Sequence, residues 1–277
     1  SMKVFEKVKD LQEYLSGQKH PIGLVPTMGA LHQGHLSLLQ NSKKDNKTTV
    51  VSIFVNPIQF NDKNDFDKYP RLLDNDLKLL ENYNCDVVFA PSVGEIYPEP
   101  PVESYDFGYL DKILEGAFRP GHFNGVAIVV NRLFQIVKPD RAYFGKKDYQ
   151  QYIIIKELVK QQKLPIEIIA VPIVREPSGL AMSSRNLRLN KDELQVAPEI
   201  YKALLLAKNL AYKKSINEVK QAVIDHLTQF FDFKIEYVEI VNADNLQTMN
   251  NWNEGKPIIL IATWLGDVRL IDNIELF

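Results

Sequence analysis

Apolar positions set out the architecture before any motif is considered. Val4, Phe5, Val8, Leu11, Tyr14 and Leu15 recur at helical spacing and Gly17 supplies a stop, which predicts a helix at the N-terminus. The run IGLVP (22–26) is too short for a helix and is bounded by Pro21 and Pro26, so it reads as a buried strand. LSLLQNSKK (36–44) is helical, TTVVSIFV (48–55) is a β-branched strand, 72–82 is helical and CDVVFA (85–90) is a third strand. Between Pro91 and Gly121 prolines and aromatics predict irregular chain, with a short strand near SYDFG (104–108). From Gly125, VAIVVNRLFQIV is apolar nearly all round, the mark of a deeply buried helix. RAYFG (141–145), KDYQQYIIIKELVKQQ (147–162) and IEIIAVPIV (166–174) continue as strand, helix and strand.

This alternation of buried-type strands with helices predicts an α/β fold, a Rossmann-like doubly wound parallel sheet covered on both faces. The pattern changes after Val174. A loop, REPSGLAMSSRNLRLN, leads to two helical stretches, the second opening at Ser215 with Glu218 at capping-box spacing. Three strands follow, FKIEYVEIV, KPIILIATWLG and VRLIDNIEL, the last two joined by a hairpin turn at Gly266–Asp267. Helices followed by antiparallel strands predict a smaller α+β domain, dividing the chain into 1–175 and 176–277.

Composition narrows the classes of function. With 277 residues, 45% of them hydrophobic, the chain is long enough for one large or two smaller cores. The 33 basic and 35 acidic side chains leave a net charge of −2 with no basic block, so broad nucleic-acid binding has no electrostatic footprint. Cys85 is the sole cysteine, which removes an internal disulfide framework and a cysteine zinc knuckle and suits a reducing cytosol. No apolar run reaches the roughly 20 residues of a membrane helix, and the N-terminal stretch has no signal-type apolar core. These features predict a soluble cytoplasmic protein; Ser1 before Met2 reads as a cloning remnant.

Candidate chemistry gathers where strands give way to helices, the usual ligand position in a doubly wound sheet. In PTMGALHQGHL (26–36), Gly29 permits close approach of backbone to a ligand, and His32 and His35 share a face near a helix N-terminus. Two imidazoles there are suited to donating to phosphate oxygens; the alternative is a pair of loop histidines. In FVNPIQFNDKNDFDKYPR (54–71), Asn56 and Gln59 suit a hydroxy-acid or amide ligand, while Asn56 equally fits a turn before Pro57. In FGKKDYQQ, Lys147 fits a phosphate and Asp148 either a ribose hydroxyl or a helix cap. Ser183, Ser184 and Arg185 form a set able to grip a polyphosphate, or a plain cap with a solvated arginine; Arg119 and His122 in RPGHFNG read as a cavity wall or turn chemistry. Neither a G-x-x-x-x-G-K-[ST] loop nor a G-x-G-x-x-G fingerprint is present.

His32-Gln33-Gly34-His35 resembles the HIGH signature of the nucleotidyltransferase superfamily. The ordered set PTMGALHQGH, FVNPIQF, YPR, RPGHFNGV, FGKKDYQQ and MSSRN resembles the pantoate–β-alanine ligases across essentially the whole chain. The resemblance implies ATP-dependent condensation of pantoate with β-alanine through a pantoyl adenylate, releasing pyrophosphate and AMP. It further implies an ATP site at Met28, Gly29, Ala30, Leu31, His32, Gln33, Gly34 and His35, at Gly145, Lys146, Lys147 and Asp148, and at Val174, Met182, Ser183, Ser184 and Arg185. Catalysis falls to His35, as proton donor, with His32 and Lys147 on the phosphates; Gln59 and Gln151 hold pantoate, with Gln59 also near β-alanine. The family's fold is a Rossmann-like domain with a smaller lid domain, and its members are homodimers. Mg²⁺ is implied with ATP, without a firm protein ligand: where the family tends to place two adjacent acids, this chain has Asn75 before Asp76. The competing readings are another nucleotidyltransferase that keeps the nucleotide on its product, and a catalytically silent nucleotide-binding protein.

Overall fold

A computed structural model describes residues 1–230 and 232–277. In chain order the first half contains β1 (Lys3–Phe5), α1 (Val8–Ser16), β2 (Ile22–Thr27), α2 (Gln33–Asp45), β3 (Thr48–Ile53), α3 (Lys63–Lys68) and α4 (Leu73–Asn82). β4 (Val87–Phe89), α5 (Val93–Ile96), α6 (Glu115–Phe118), α7 (His122–Val137), β5 (Arg141–Gly145), α8 (Tyr149–Gln162) and β6 (Glu167–Val171) complete it. The six strands form one parallel sheet in the order β1-β4-β3-β2-β5-β6. The chain moves outward from β2 through β3 to β4, then returns to place β5 on the other side of β2. The switch point therefore lies between the ends of β2 and β5, where the histidine and lysine turns leave the sheet.

Both faces of the sheet are covered, which is why its strands are apolar without alternation. On one face Leu24, Val50, Val87 and Ala142 pack with residues of α1, α7 and α8; on the other Val25, Val51, Val88 and Tyr143 meet Leu36 and Leu39 of α2 and Leu80 of α4. α7 is enclosed by α1, α8, β2 and the Pro57–Gln59 turn, which accounts for apolar residues all round it. Gly125 is required there: a Cβ would sit 2.7 Å from the Ile58 carbonyl and 2.8 Å from Gln59 Cα.

The second half carries α9 (Lys191–Val196), α10 (Glu199–Leu210), α11 (Ile216–Thr228), β7 (Phe233–Asn242), β8 (Pro257–Leu265) and β9 (Val268–Glu275). The strands form an antiparallel β7-β8-β9 sheet. One face receives Leu204, Ala207, Val219 and Val223 of α10 and α11. The other packs Tyr237, Val241 and Leu260 on Leu114, Tyr149 and Ile153 of the first half. That double burial makes β8 apolar at nearly every position.

Three expectations change. Val4 and Phe5 belong to β1, which pairs with β4, and α1 begins only at Val8, whose N–H donates to Glu95 Oε1 at 2.7 Å. That cap comes from 87 residues away, and sheet pairing outweighs helical spacing. SYDFG forms no ladder; a 3₁₀ turn follows at Gly108–Asp111. α7 starts at His122 rather than Gly125, entered through Gly121 at φ +77°.

A buried ion network joins the halves. Glu115 accepts from Arg269 at 2.5 and 2.8 Å and from the Tyr237 hydroxyl at 2.7 Å, while Arg269 Nε donates to Glu236 at 2.6 Å. Burial alone would raise the Glu115 carboxyl, but bonding and charge from Arg269 override it and hold the pKa at about 2. Removing the guanidinium leaves a buried carboxylate with the Tyr237 hydroxyl and, as its remaining cation among the described residues, Arg119 at 3.5 Å. Arg269→Met should therefore lower unfolding free energy by about 3–5 kcal/mol in urea titrations. Because the folded pKa lies below the ordinary 4.5, the contribution is full above that pH and drains away as pH falls toward 2. Acid unfolding of Glu115→Gln should lack that component; an unchanged acid limb would contradict the assignment.

Candidate active site

The turn after β2 is held by three devices. The Thr27 hydroxyl donates to the Ser52 carbonyl at 2.8 Å and accepts the Gly29 N–H at 3.1 Å. Gly29 (φ +81°) and Ala30 (φ +50°) then take the left-handed conformation. Asp76 of α4, itself buried, receives Ala30 N–H on one carboxylate oxygen and Leu31 N–H on the other, both at 2.8 Å. Burial raises its pKa and these two N–H groups oppose the rise. Asp76 is thus a clamp on the turn.

The two histidines cap α2 reciprocally. His32 Nδ1 accepts the Gly34 N–H at 3.0 Å, and His35 Nδ1 accepts the His32 N–H at 3.2 Å. Since both Nδ1 atoms accept, each neutral ring carries its proton on Nε2. The rings lie 4.0 Å apart between centroids, and Gly34 leaves room for them: a Cβ there would sit 2.7 Å from His32 Cε1. Burial, then Lys147, lowers the His32 pKa to about 4; burial, then His32 and Lys147, holds His35 well below its usual value. Both are therefore neutral hydrogen-bond donors at pH 7, each with its proton on Nε2.

A cavity of about 250 Å³ opens at the switch point. Met28, His32, Gly34 and His35 line it from the β2 side; Gly145, Lys147, Asp148 and Gln151 from the β5 side; Val174, Met182, Ser183, Ser184 and Arg185 from the interdomain loop. Gln59, Arg119 and His122 also reach it. Of the expected nucleotide residues, Gly29, Ala30 and Leu31 lie behind the wall as the clamped turn, Gln33 is exposed, and Lys146 turns away to pair with Glu275 at 3.1 Å. Asp148 makes no side-chain cap on α8.

Side chains in the cavity are oriented from behind. Asn56 Nδ2 donates to Gln59 Oε1 at 3.0 Å and to the Gly125 carbonyl at 3.2 Å, and Tyr97 donates to Asn56 Oδ1 at 2.7 Å. Asn56 therefore does more than form a turn: it occupies the acceptor of Gln59 and leaves the Gln59 amide donors free. His122 Nδ1–H donates to the Gln59 carbonyl at 2.8 Å, leaving Nε2 as an acceptor; burial, then Arg119, lowers its pKa to about 3. Ser184 donates to the Ala30 carbonyl at 3.1 Å, joining the interdomain loop to the β2 turn, while Ser183 caps its own 3₁₀ turn through the Arg185 N–H. Arg185 is not solvated: with Arg188 it grips Asp65 of α3, at 2.6 and 2.9 Å.

Tyr69, Glu115 and Arg269, which line the cavity, and Asp65, which pairs with Arg185, lie outside the residues expected from sequence. Tyr69 stands in the YPR motif, the one local signal among them; the others declare themselves only through partners distant in sequence. Among the described residues no group of three or more His, Cys, Asp or Glu side chains could hold a metal ion.

The sequence profile of the family described as pantoate–β-alanine ligase matches residues 3–275. The chain is 51% identical to the pantothenate synthetase of Bacteroides fragilis, covering 99% of both chains, and 45% identical to that of Thermotoga petrophila, covering 98% of this chain and 99% of the relative. A crystal structure of pantothenate synthetase from Thermus thermophilus superposes with a TM-score of 0.94 at 40% identity over 100% of each chain. The pantoate–β-alanine ligase from Francisella tularensis, solved with β,γ-ATP and β-alanine, gives 0.84 at 38% identity, covering 100% of this chain and 98% of that one.

The tautomers are open to direct observation. Imidazole ¹⁵N shifts at pH 7 should report neutral, Nε2-protonated rings for His32 and His35, with His32 titrating near pH 4. A midpoint near 6.5 for His32 would contradict the capping geometry.

Proposed function

The chain belongs to the pantoate–β-alanine ligase family, and from that premise we propose how its residues divide the ATP-dependent condensation of pantoate with β-alanine. The pantoate carboxylate attacks the α-phosphorus of ATP, forming the pantoyl adenylate and releasing pyrophosphate. The amine of β-alanine then attacks the acyl carbon, loses a proton and expels AMP, giving pantothenate. A free carboxylate is a poor acyl donor; the mixed anhydride supplies the leaving group. In-line displacement at phosphorus asks little covalent chemistry of the protein, so positioning and charge stabilisation dominate.

The observation that carries this reading is the convergence of both imidazoles, Lys147, Arg185, Gln59 and Gln151 on one cavity. His32 and His35 donate Nε2–H to phosphate oxygens, where charge builds in the transition state. Lys147 neutralises phosphate as a point charge. Arg185 exchanges Asp65 for the departing pyrophosphate, one anion replacing another. Val174 meets adenine through its backbone, and Met182, Ser183 and Ser184 complete that wall. Gln59, with its amide donors free, and Gln151 hold pantoate; Gln59 also borders the β-alanine position.

Mg²⁺ enters with ATP as part of the substrate, held by the triphosphate. Asp76 serves the turn with one backbone N–H on each oxygen, and the proposal asks no Mg²⁺ ligand of it. The division at 175/176 into a substrate-binding domain and a lid, the homodimer and the cytoplasmic location belong to the same proposal and rest on family resemblance. Among the described residues no helix is long and apolar enough to cross a membrane.

Pyrophosphate exchange that requires ATP and pantoate but not β-alanine tests the adenylate route; its absence, with no AMP or pantothenate formed in the full mixture, would sink the reading. His35→Ala should retain the fold and lose about 10²–10³ in exchange rate. Gln59→Ala should raise KM for pantoate more than KM for ATP; equal damage to both would remove Gln59 from the pantoate site. Asp76→Asn should slow exchange while leaving its Mg²⁺ half-saturation unchanged, whereas a shifted Mg²⁺ dependence would make Asp76 a ligand.

A further inference from the structure

Lys147 stands on a short turn after β5, but the groups that fix that turn come from the far end of the chain. Asn273, on β9, is buried, and its Nδ2 donates to two adjacent carbonyls, Lys146 O at 2.9 Å and Lys147 O at 3.1 Å. Two acceptors settle which end of the amide faces the turn, because only the NH₂ group has two protons to give. Aspartate in this position would have no donor and would press its charge against two carbonyl dipoles.

The same strand end is locked on its other side. Asp272 receives Arg175 in a two-pronged pair at 2.7 and 2.9 Å and accepts the Asn273 N–H at 2.7 Å; Arg175 also donates to the Asn273 carbonyl at 3.2 Å. Arg175 lies over the Tyr201 ring at 3.9 Å. Arg175 further donates to the Gly179 carbonyl and bridges to Ala181, so it ties down the strip of chain that runs straight into Met182–Arg185. Two neighbouring residues of β9 thus hold both segments that face the phosphates: Asn273 the lysine turn, and Asp272 the loop carrying Ser183 and Arg185.

We propose that Asn273 is a positioning residue for Lys147, transmitting the seat of the β7-β8-β9 sheet to the lysine that meets the phosphates. The inference rests on the role assigned to Lys147 above. Lys147 Nζ makes no ion pair within 4.0 Å among the described residues and projects into the cavity, so nothing at its tip fixes it; its aim depends on the backbone from which it springs. A charge held by its base alone is sensitive to small displacements of that base, and misplacement of about 1 Å in a reacting constellation can cost about 100-fold in rate.

A double-mutant cycle on ATP- and pantoate-dependent pyrophosphate exchange decides the matter. Asn273→Ala should lower the exchange kcat by about 10- to 100-fold in the wild-type background, but by less than about threefold when Lys147→Ala is already present. Glu275→Ala, which removes only the partner of Lys146 on the same strand, should stay within about twofold. Asn273→Ser, retaining one donor, should fall between wild type and Asn273→Ala, and carries the cycle if the alanine variant does not fold. Losses that multiply across the two backgrounds, as a merely structural role produces, would overturn the proposal and leave the Lys147 assignment standing. An unimpaired Lys147→Ala would overturn both.

Discussion

The N-terminus of α2 presents backbone N–H groups that need acceptors, and the chain meets that need with imidazole nitrogens. Each ring spends Nδ1 on a backbone donor, so its tautomer is fixed before any substrate arrives. The free face of each ring then carries an N–H, the polarity that an anionic phosphate requires. Serine would satisfy the helix equally well but would offer no second, opposed donor. On the proposed reading, helix capping and phosphate recognition use opposite sides of the same two side chains. The clamp by Asp76 and the left-handed pair Gly29–Ala30 exist to bring the chain into that cap at the right angle.

Guanidinium charge around the cavity is balanced piecewise. Arg185 and Arg188 share Asp65, Arg119 and Arg269 share Glu115, and Arg269 also has Glu236. A guanidinium paired with a carboxylate remains charged and hydrogen-bonded while no substrate is present, and it yields that carboxylate only to a stronger anion. Asp65 lies on the short α3, so the exchange proposed at Arg185 would move only a light element. Glu115 is tied into the second sheet through Tyr237 and Arg269, so exchange there would disturb the seam between the two halves. The two carboxylates therefore suit different tasks, one releasable and one structural.

Because the cavity lies at the junction, the small antiparallel sheet is part of it. Tyr149 donates to the Ala243 carbonyl at 2.7 Å, Asn273 holds the lysine turn, and Ser184 reaches back to Ala30. The buried face of β8 supplies the apolar area that keeps these polar contacts in register. Polar bonds across such a seam specify one arrangement, while the hydrophobic contact supplies most of the attraction.

The sequence by itself determined the parallel sheet, the antiparallel C-terminal strands, and the presence of the histidine, lysine and serine–arginine segments at strand ends or in the interdomain loop. Strand-length apolar runs, glycine punctuation and imidazole spacing are local, and local signals survive without coordinates. What only the tertiary structure decided were the partners: Glu95 capping α1, Asp76 on the Ala30 and Leu31 amides, Asn56 turning Gln59, Asp65 on Arg185, and Asn273 beneath Lys147. Most of these are polar residues paired across many positions of chain, and their role lies in the geometry of the pair. A side chain's type is written in the sequence, but which donor it meets depends on how the two sheets pack, and no periodicity encodes that.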